Sequence, residues 1–169
     1  MSRNNIKLMC MAESEISNLN YLLSIPGAVV LAVGPPSCVR QLYFAAQSQN
    51  QQDNFYMYVE DEKKLTMGMH LQDVKKVIDK LLIDEPKILI CYLSCLDLLI
   101  GSDFDNIIEE LQQDTKTYVI QFKRGPLEKR KIKPKAKIRS ILSDLINQKF
   151  FSLEEEKLVV DILEELENE

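Results

Sequence analysis

Chemistry has few places to start in this chain of 169 residues: four cysteines, Cys10, Cys38, Cys91 and Cys95, and one histidine, His70. Ser–His or Cys–His catalysis and any histidine-rich metal site would all have to run through His70, which makes most self-contained hydrolase chemistries improbable. The cysteines have no C-x-x-C pair of the kind that builds zinc ribbons or thioredoxin-like centres. Cys91 and Cys95 form a C-x-x-x-C pair, with Cys91 inside an apolar run that reads as core. The carboxylate groups Glu60-Asp61-Glu62 and Asp103 with Asp105 read as loop and helix-capping residues. His70, at the start of a helical pattern, reads as solvated or capping, and Met67 and Met69 as core or turn packing.

The elements that must position these groups alternate along the chain. Segments 28–33, 55–59, 87–93 and 117–122 are short, β-branched or aromatic, and bounded by Gly, Pro or polar turns, as strands are. The first and third are nearly continuous apolar runs, the mark of parallel strands covered on both faces. Leu71, Val74, Ile78, Leu81 and Leu82 make one helical stripe; Phe104, Ile107, Ile108 and Leu111 make another, with Asp103 placed to cap it. A further helix is expected over 39–49. This rhythm predicts a Rossmann-like α/β domain, an open parallel sheet of about four strands. In such a sheet the carboxyl ends of the strands share one edge, where ligands bind. Cys38, after the turn Gly34-Pro35-Pro36-Ser37, and Cys95, after the third strand, are therefore expected on one rim, an arrangement suited to a thiolate-held metal cluster.

After Phe122 the rhythm stops at Arg124-Gly125-Pro126. Segment 123–139 carries nine basic residues against Glu128 and reads as a linker or exposed arm as far as Lys137; 153–169 carries eight acids against Lys157. Ile138, Ile141, Leu142 and Leu145 line one amphipathic helix, and Ser152 with Glu155 spells a capping box that opens another. The expected organisation is an α/β domain over 1–125 and a basic linker with C-terminal helices over 126–169. The overall charge of −5 and the lack of aromatics in the basic run argue against dedicated nucleic-acid binding. No apolar run is long enough for a membrane span, and the opening residues are too polar for a secretory signal, so reduced thiols in the cytoplasm are expected.

Val33-Gly34-Pro35-Pro36-Ser37-Cys38 resembles the (H)GPxGC turn of the nitrogenase component 1 superfamily, which includes nitrogenase molybdenum–iron protein subunits, dark-operative protochlorophyllide reductase and nickel-sirohydrochlorin reductive cyclase. Cys95 to Asp103 resembles its C-P-x-x-x-I-G-x-D segment, with Cys95, Ile100-Gly101 and Asp103 in register. Met67-Gly68 and the helix after it resemble the family's F-G-G turn and helix, and Cys10 lies near the position of its first cysteine. The resemblance covers about residues 10–125. It implies an iron–sulfur cluster, a [4Fe–4S] cluster above all, with Cys38, Cys95 and Cys10 as ligands. It also implies a site shared with a second copy or a related subunit, and an ATP-dependent iron-protein-type reductase as electron donor. Family members carry three such domains per subunit, so one domain implies an electron-transfer component of an oxidoreductase without a substrate site of its own. Val33, Ser37, Leu96 and Ser102 stand where the family has His, Gly, Pro and Asp. Those departures suit a clusterless docking or regulatory module of the same fold. A thiol redox protein using Cys91 and Cys95 is the third expectation.

Overall fold

The computed structural model describes residues 13–94, 96–97, 100–101, 103–123 and 133–168. Four parallel strands, β1 (Ala28–Gly34), β2 (Phe55–Val59), β3 (Ile88–Leu93) and β4 (Tyr118–Lys123), pair in the order β2-β1-β3-β4. The two apolar runs occupy the centre. Every residue of β3 is buried, and β1 is buried at all positions but Val29. The outer strands alternate or lie open, because an edge strand needs no apolar residue where nothing covers it.

Among the described residues seven α-helices flank the sheet: α1 (Glu13–Ser24), α2 (Pro36–Ser48), α3 (Glu62–Thr66), α4 (His70–Leu82), α5 (Phe104–Asp114), α6 (Pro134–Asn147) and α7 (Leu153–Asn168). Alternate strand residues face opposite layers. Ala28, Val30 and Ala32 of β1 and Ile88, Ile90 and Tyr92 of β3 pack with α1, α2, α6 and α7. Leu31, Val33, Leu89, Cys91 and Leu93 pack with α4 and α5. The result is a three-layer α/β/α fold of the open parallel class. The crossover β1–α2–β2 lies on one face and β2–α4–β3 on the other, so the chain reverses direction between β1 and β3.

Local signals explain most of the boundaries. Pro36 opens α2 and Pro134 opens α6, where a missing N–H costs nothing and a fixed φ suits the helix. α2 therefore starts three residues before the expected 39, and the helix of the basic run starts at Pro134, inside what reads as linker. The capping box of α7 forms as expected: the Ser152 N–H donates to Glu155 Oε2 at 2.9 Å, and the Glu155 N–H to Ser152 Oγ at 3.3 Å. α1 has no counterpart among the expected helices. The C-terminal helices share the core of the α/β layers, with Ile138, Leu142, Leu145, Val159, Ile162 and Leu166 buried against the sheet-side cluster.

Lys87 reaches from the start of β3 to Glu155 at 2.6 Å, tying α7 to the amino edge of the sheet. The Lys87 hydrogen bond, with the Ser152 N–H next, holds the Glu155 carboxyl below its ordinary value. A depressed folded-state pKa contributes stability above the unfolded carboxylate value and loses it as pH falls through the folded one. Glu155→Gln is thus expected to lower the melting temperature at pH 7, and the gap to wild type should close below about pH 4. A gap that persists at pH 2–3 would assign the effect to packing.

Gly27, which turns the chain into β1, has φ +72°, and a Cβ there would sit 2.9 Å from Lys87 Cβ. Backbone strain and contact add, so Gly27→Ala is expected to cost about 1–3 kcal/mol in urea unfolding. A neutral result would show that neither the left-handed backbone nor the Lys87 contact penalises a methyl group there.

Candidate functional site: the carboxyl edge of the sheet

The carboxyl ends of β1, β2 and β3 are laced together by backbone bonds. The Glu60 N–H donates to Gly34 O at 2.9 Å, and the Ser94 N–H donates to Val33 O at 3.1 Å. Gly34, Glu60 and Ser94 therefore stand side by side on one rim, at the reversal point between β1 and β3 where open α/β sheets bind ligands.

Cys38 lies at this rim. Pro35 leaves β1 with extended backbone, Pro36 starts α2, and Cys38 falls in the first turn, its N–H donating to Pro35 O at 3.0 Å. The thiol is held by a helix start rather than by the rigid non-helical turn the sequence suggests. It is half-buried. Ser94, at the end of β3, immediately precedes Cys95; Cys95 and Cys10 both lie outside the described residues. Cys91 is fully buried in the layer between the sheet and α4/α5, where desolvation pushes its thiol up to about 12. At neutral pH it is an un-ionised small hydrophobe, unfit as a redox nucleophile.

The rim also gathers polar residues that sequence reading assigns elsewhere. Glu60, His70, Ser94 and Asp97 are 5%, 3%, 1% and 2% exposed. His70 is neither solvated nor a helix cap, and Glu60 is not an open loop carboxylate like its neighbours. Two local devices bring His70 in. Asp61 caps α3 by accepting from the Lys63 and Lys64 N–H groups at 2.9 and 3.1 Å, and Gly68 then adopts φ +69°. That left-handed turn, open to Gly at little cost, folds α4 back with its first residue under the rim. Lys64 pairs with Asp73 at 2.6 Å across this turn; the shared hydrogen bond raises the lysine pKa and lowers that of the carboxyl. Tyr58, the last but one residue of β2, has its pKa raised by burial first and by Asp73 second.

Ser94 Oγ donates to Asp97 Oδ2 at 2.8 Å, within the buried rim. One ligand-grade atom each of Glu60, His70 and Asp97 lies within 4.8 Å of the other two. Nothing in local spacing announces this group, since its members are ten and twenty-seven residues apart. The one available signal is position, with Glu60 and Asp97 just beyond the carboxyl ends of β2 and β3.

Other sequence candidates settle as follows. Asp103 caps α5, its Oδ1 accepting from the Asn106 backbone N–H at 3.5 Å and its Oδ2 from the Asn106 side-chain amide at 2.6 Å. Met67 and Met69 are exposed, 71% and 46%, and are not core. In the basic run, Lys137 lies over the Phe122 ring at 5.1 Å and donates to Gln121 O at 3.3 Å, so this cation serves the fold; residues 124–132 lie outside the described residues. No helix among the described residues is long and apolar enough to cross a membrane.

Four parallel strands between two helical layers define a Rossmann-like α/β fold, with buried polar groups and a half-buried thiol at its carboxyl edge. No protein-family model matches the chain, and no curated protein matches it either.

Proposed function

We propose that this chain is an electron-transfer module that holds an iron–sulfur cluster, [4Fe–4S] in type, at the carboxyl edge of its sheet, and that has no substrate site of its own. The observation that carries the reading is the place of Cys38, half-buried in the first turn of α2 beyond central strand β1, while Ser94, the residue before Cys95, is bonded to the end of the same strand. Cys38 and Cys95 would be the principal thiolates and Cys10 a third. Thiolate is the soft ligand that iron–sulfur clusters require, and a half-buried position limits water and so tunes the potential. When bound, the cluster supplies one-electron chemistry; the chain's own part is to present thiolates from two adjacent strand ends on a rigid sheet. Three thiolates leave a four-iron cubane one ligand short, which calls for a two-fold dimer or a related subunit. The donor would be an ATP-dependent iron-protein-type reductase, by analogy with the superfamily whose motifs the chain resembles.

The burial of Cys91 speaks against the thiol redox alternative. The clusterless docking module keeps one observation in its favour: the same rim is furnished with carboxylates and an imidazole, which are not cluster ligands of the thiolate kind.

The test is anaerobic purification followed by a visible spectrum, iron and sulfide assays, and light scattering. Broad charge-transfer absorption with about four iron and four sulfide per cluster, on a dimer, is the expected result. Colourless, iron-free protein after anaerobic reconstitution would leave the docking module.

A further inference from the structure

We infer that Glu60, His70 and Asp97 form a binding site for a single divalent transition-metal ion, separate from any thiolate cluster. The argument begins with Asp97. It is 2% exposed, Ser94 Oγ holds its Oδ2, and its Oδ1 is buried with no hydrogen-bond partner among the described residues. A buried carboxylate oxygen left bare is costly, so native structures aim such atoms at a partner. None of the described ion pairs brings a lysine or arginine to Asp97. What faces it is a second buried carboxylate and an imidazole, with ligand-grade atoms within 4.8 Å. A divalent cation seated between these groups would be held by a carboxylate oxygen from each side and by the imidazole nitrogen, and would supply the partner that Asp97 Oδ1 lacks among the described residues.

The donor set states which ions fit. One nitrogen and two carboxylate oxygens suit zinc, manganese or ferrous iron and give soft cuprous ions no thiolate or thioether. Ligand atoms about 2.0–2.2 Å from an ion lie roughly 3–4.4 Å apart, so the cluster needs only a small side-chain adjustment to close. Each ligand comes from a different part of the chain: the residue after β2, the first residue of α4, and Asp97, four residues beyond β3. The Ser94 hydroxyl supplies the outer hydrogen bond that orients a ligating carboxylate, engaging Oδ2 and leaving Oδ1 without a partner among the described residues. Three protein ligands leave a coordination position for water or an incoming group, as in exchangeable rather than structural zinc sites.

The probe is Zn2+ alone, titrated calorimetrically into chelator-stripped protein, in wild type and in a Cys38→Ser/Cys95→Ser background that removes competing thiolates. The expected result is stoichiometric binding to wild type and one ion per chain in the cysteine double variant. Affinity should fall at least about 100-fold in Asp97→Asn and in His70→Gln, and about tenfold in Ser94→Ala. Circular dichroism checks that the variants fold. Should they not, the Co2+ spectrum of the Cys38→Ser/Cys95→Ser chain decides: weak visible bands without thiolate charge transfer support the site. Absence of stoichiometric binding to wild type, unchanged affinity in folded Asp97→Asn, complete loss in the cysteine double variant, or thiolate bands with Co2+ would each overturn it. Failure of the cluster reading is seen separately, in iron and sulfide content.

Discussion

A chain ended at residue 125 is expected not to fold. The sequence places a boundary there, where the strand–helix rhythm stops, yet the helices beyond it complete one face of the sheet. Ile138, Leu142, Leu145, Phe151, Val159, Ile162 and Leu166 are all at most 8% exposed and belong to one cluster with Leu22, Ile88, Ile90, Tyr92 and Phe122. Burying one such side chain is worth about 1.5–3 kcal/mol, so losing seven removes roughly 10–20 kcal/mol, comparable to or larger than the roughly 5–15 kcal/mol by which a domain is stable. Deletion would also bare the sheet face that α6 and α7 cover and invite aggregation. The measurement is circular dichroism and thermal melting of the 1–125 fragment beside the full chain. A cooperative transition within a few degrees of the full chain would restore the boundary at 125. Leu142→Ala, a single fully buried position on α6, is expected to cost about 2–5 kcal/mol in the full chain and to report the same coupling more gently.

The second large effect concerns iron. If the rim holds a cluster through its thiolates, Cys38→Ser and Cys95→Ser should each reduce iron and sulfide by about tenfold or more, because a serine hydroxyl is a poor ligand for iron–sulfur clusters. Cys91→Ser should leave iron content unchanged. Its cost falls on stability: a hydroxyl placed where nothing is exposed, in the layer under α4 and α5, costs about 1–3 kcal/mol unless it finds a partner. Iron retained in the Cys38→Ser/Cys95→Ser variant would end the cluster assignment, and iron lost only in Cys91→Ser would put the thiols in the wrong roles. Alkylation before reconstitution gives an independent check. Cys38 is half-buried, whereas the Cys91 thiol is sealed and pushed up to about 12, so only the former should react readily at neutral pH.

The sequence alone determined the strands of the sheet. Four apolar runs, two of them continuous, were enough for four parallel strands with those two at the centre, because burial on both faces leaves no polar position to spare. The α4 and α5 stripes, the Asp103 cap and the Ser152–Glu155 box were legible for the same reason: each is written within one or two helical turns. α1 was not, since polar Asn18 and Asn20 interrupt its pattern and only the fold buries Asn18, at 3% exposure. Whether 134–168 forms an appendage or part of the core was decided by tertiary packing, because an amphipathic helix advertises an apolar face without saying what covers it. The site shows the same limit more sharply. Glu60, His70 and Asp97 read singly as a loop carboxylate, a helix-start histidine and nothing at all. They become one buried cluster only because the sheet order sets the ends of β2 and β3 on either side of β1 and a left-handed Gly68 turns α4 back beneath them. Periodicity is a short-range signal, whereas a site assembled from three strand and helix ends depends on which strands are neighbours.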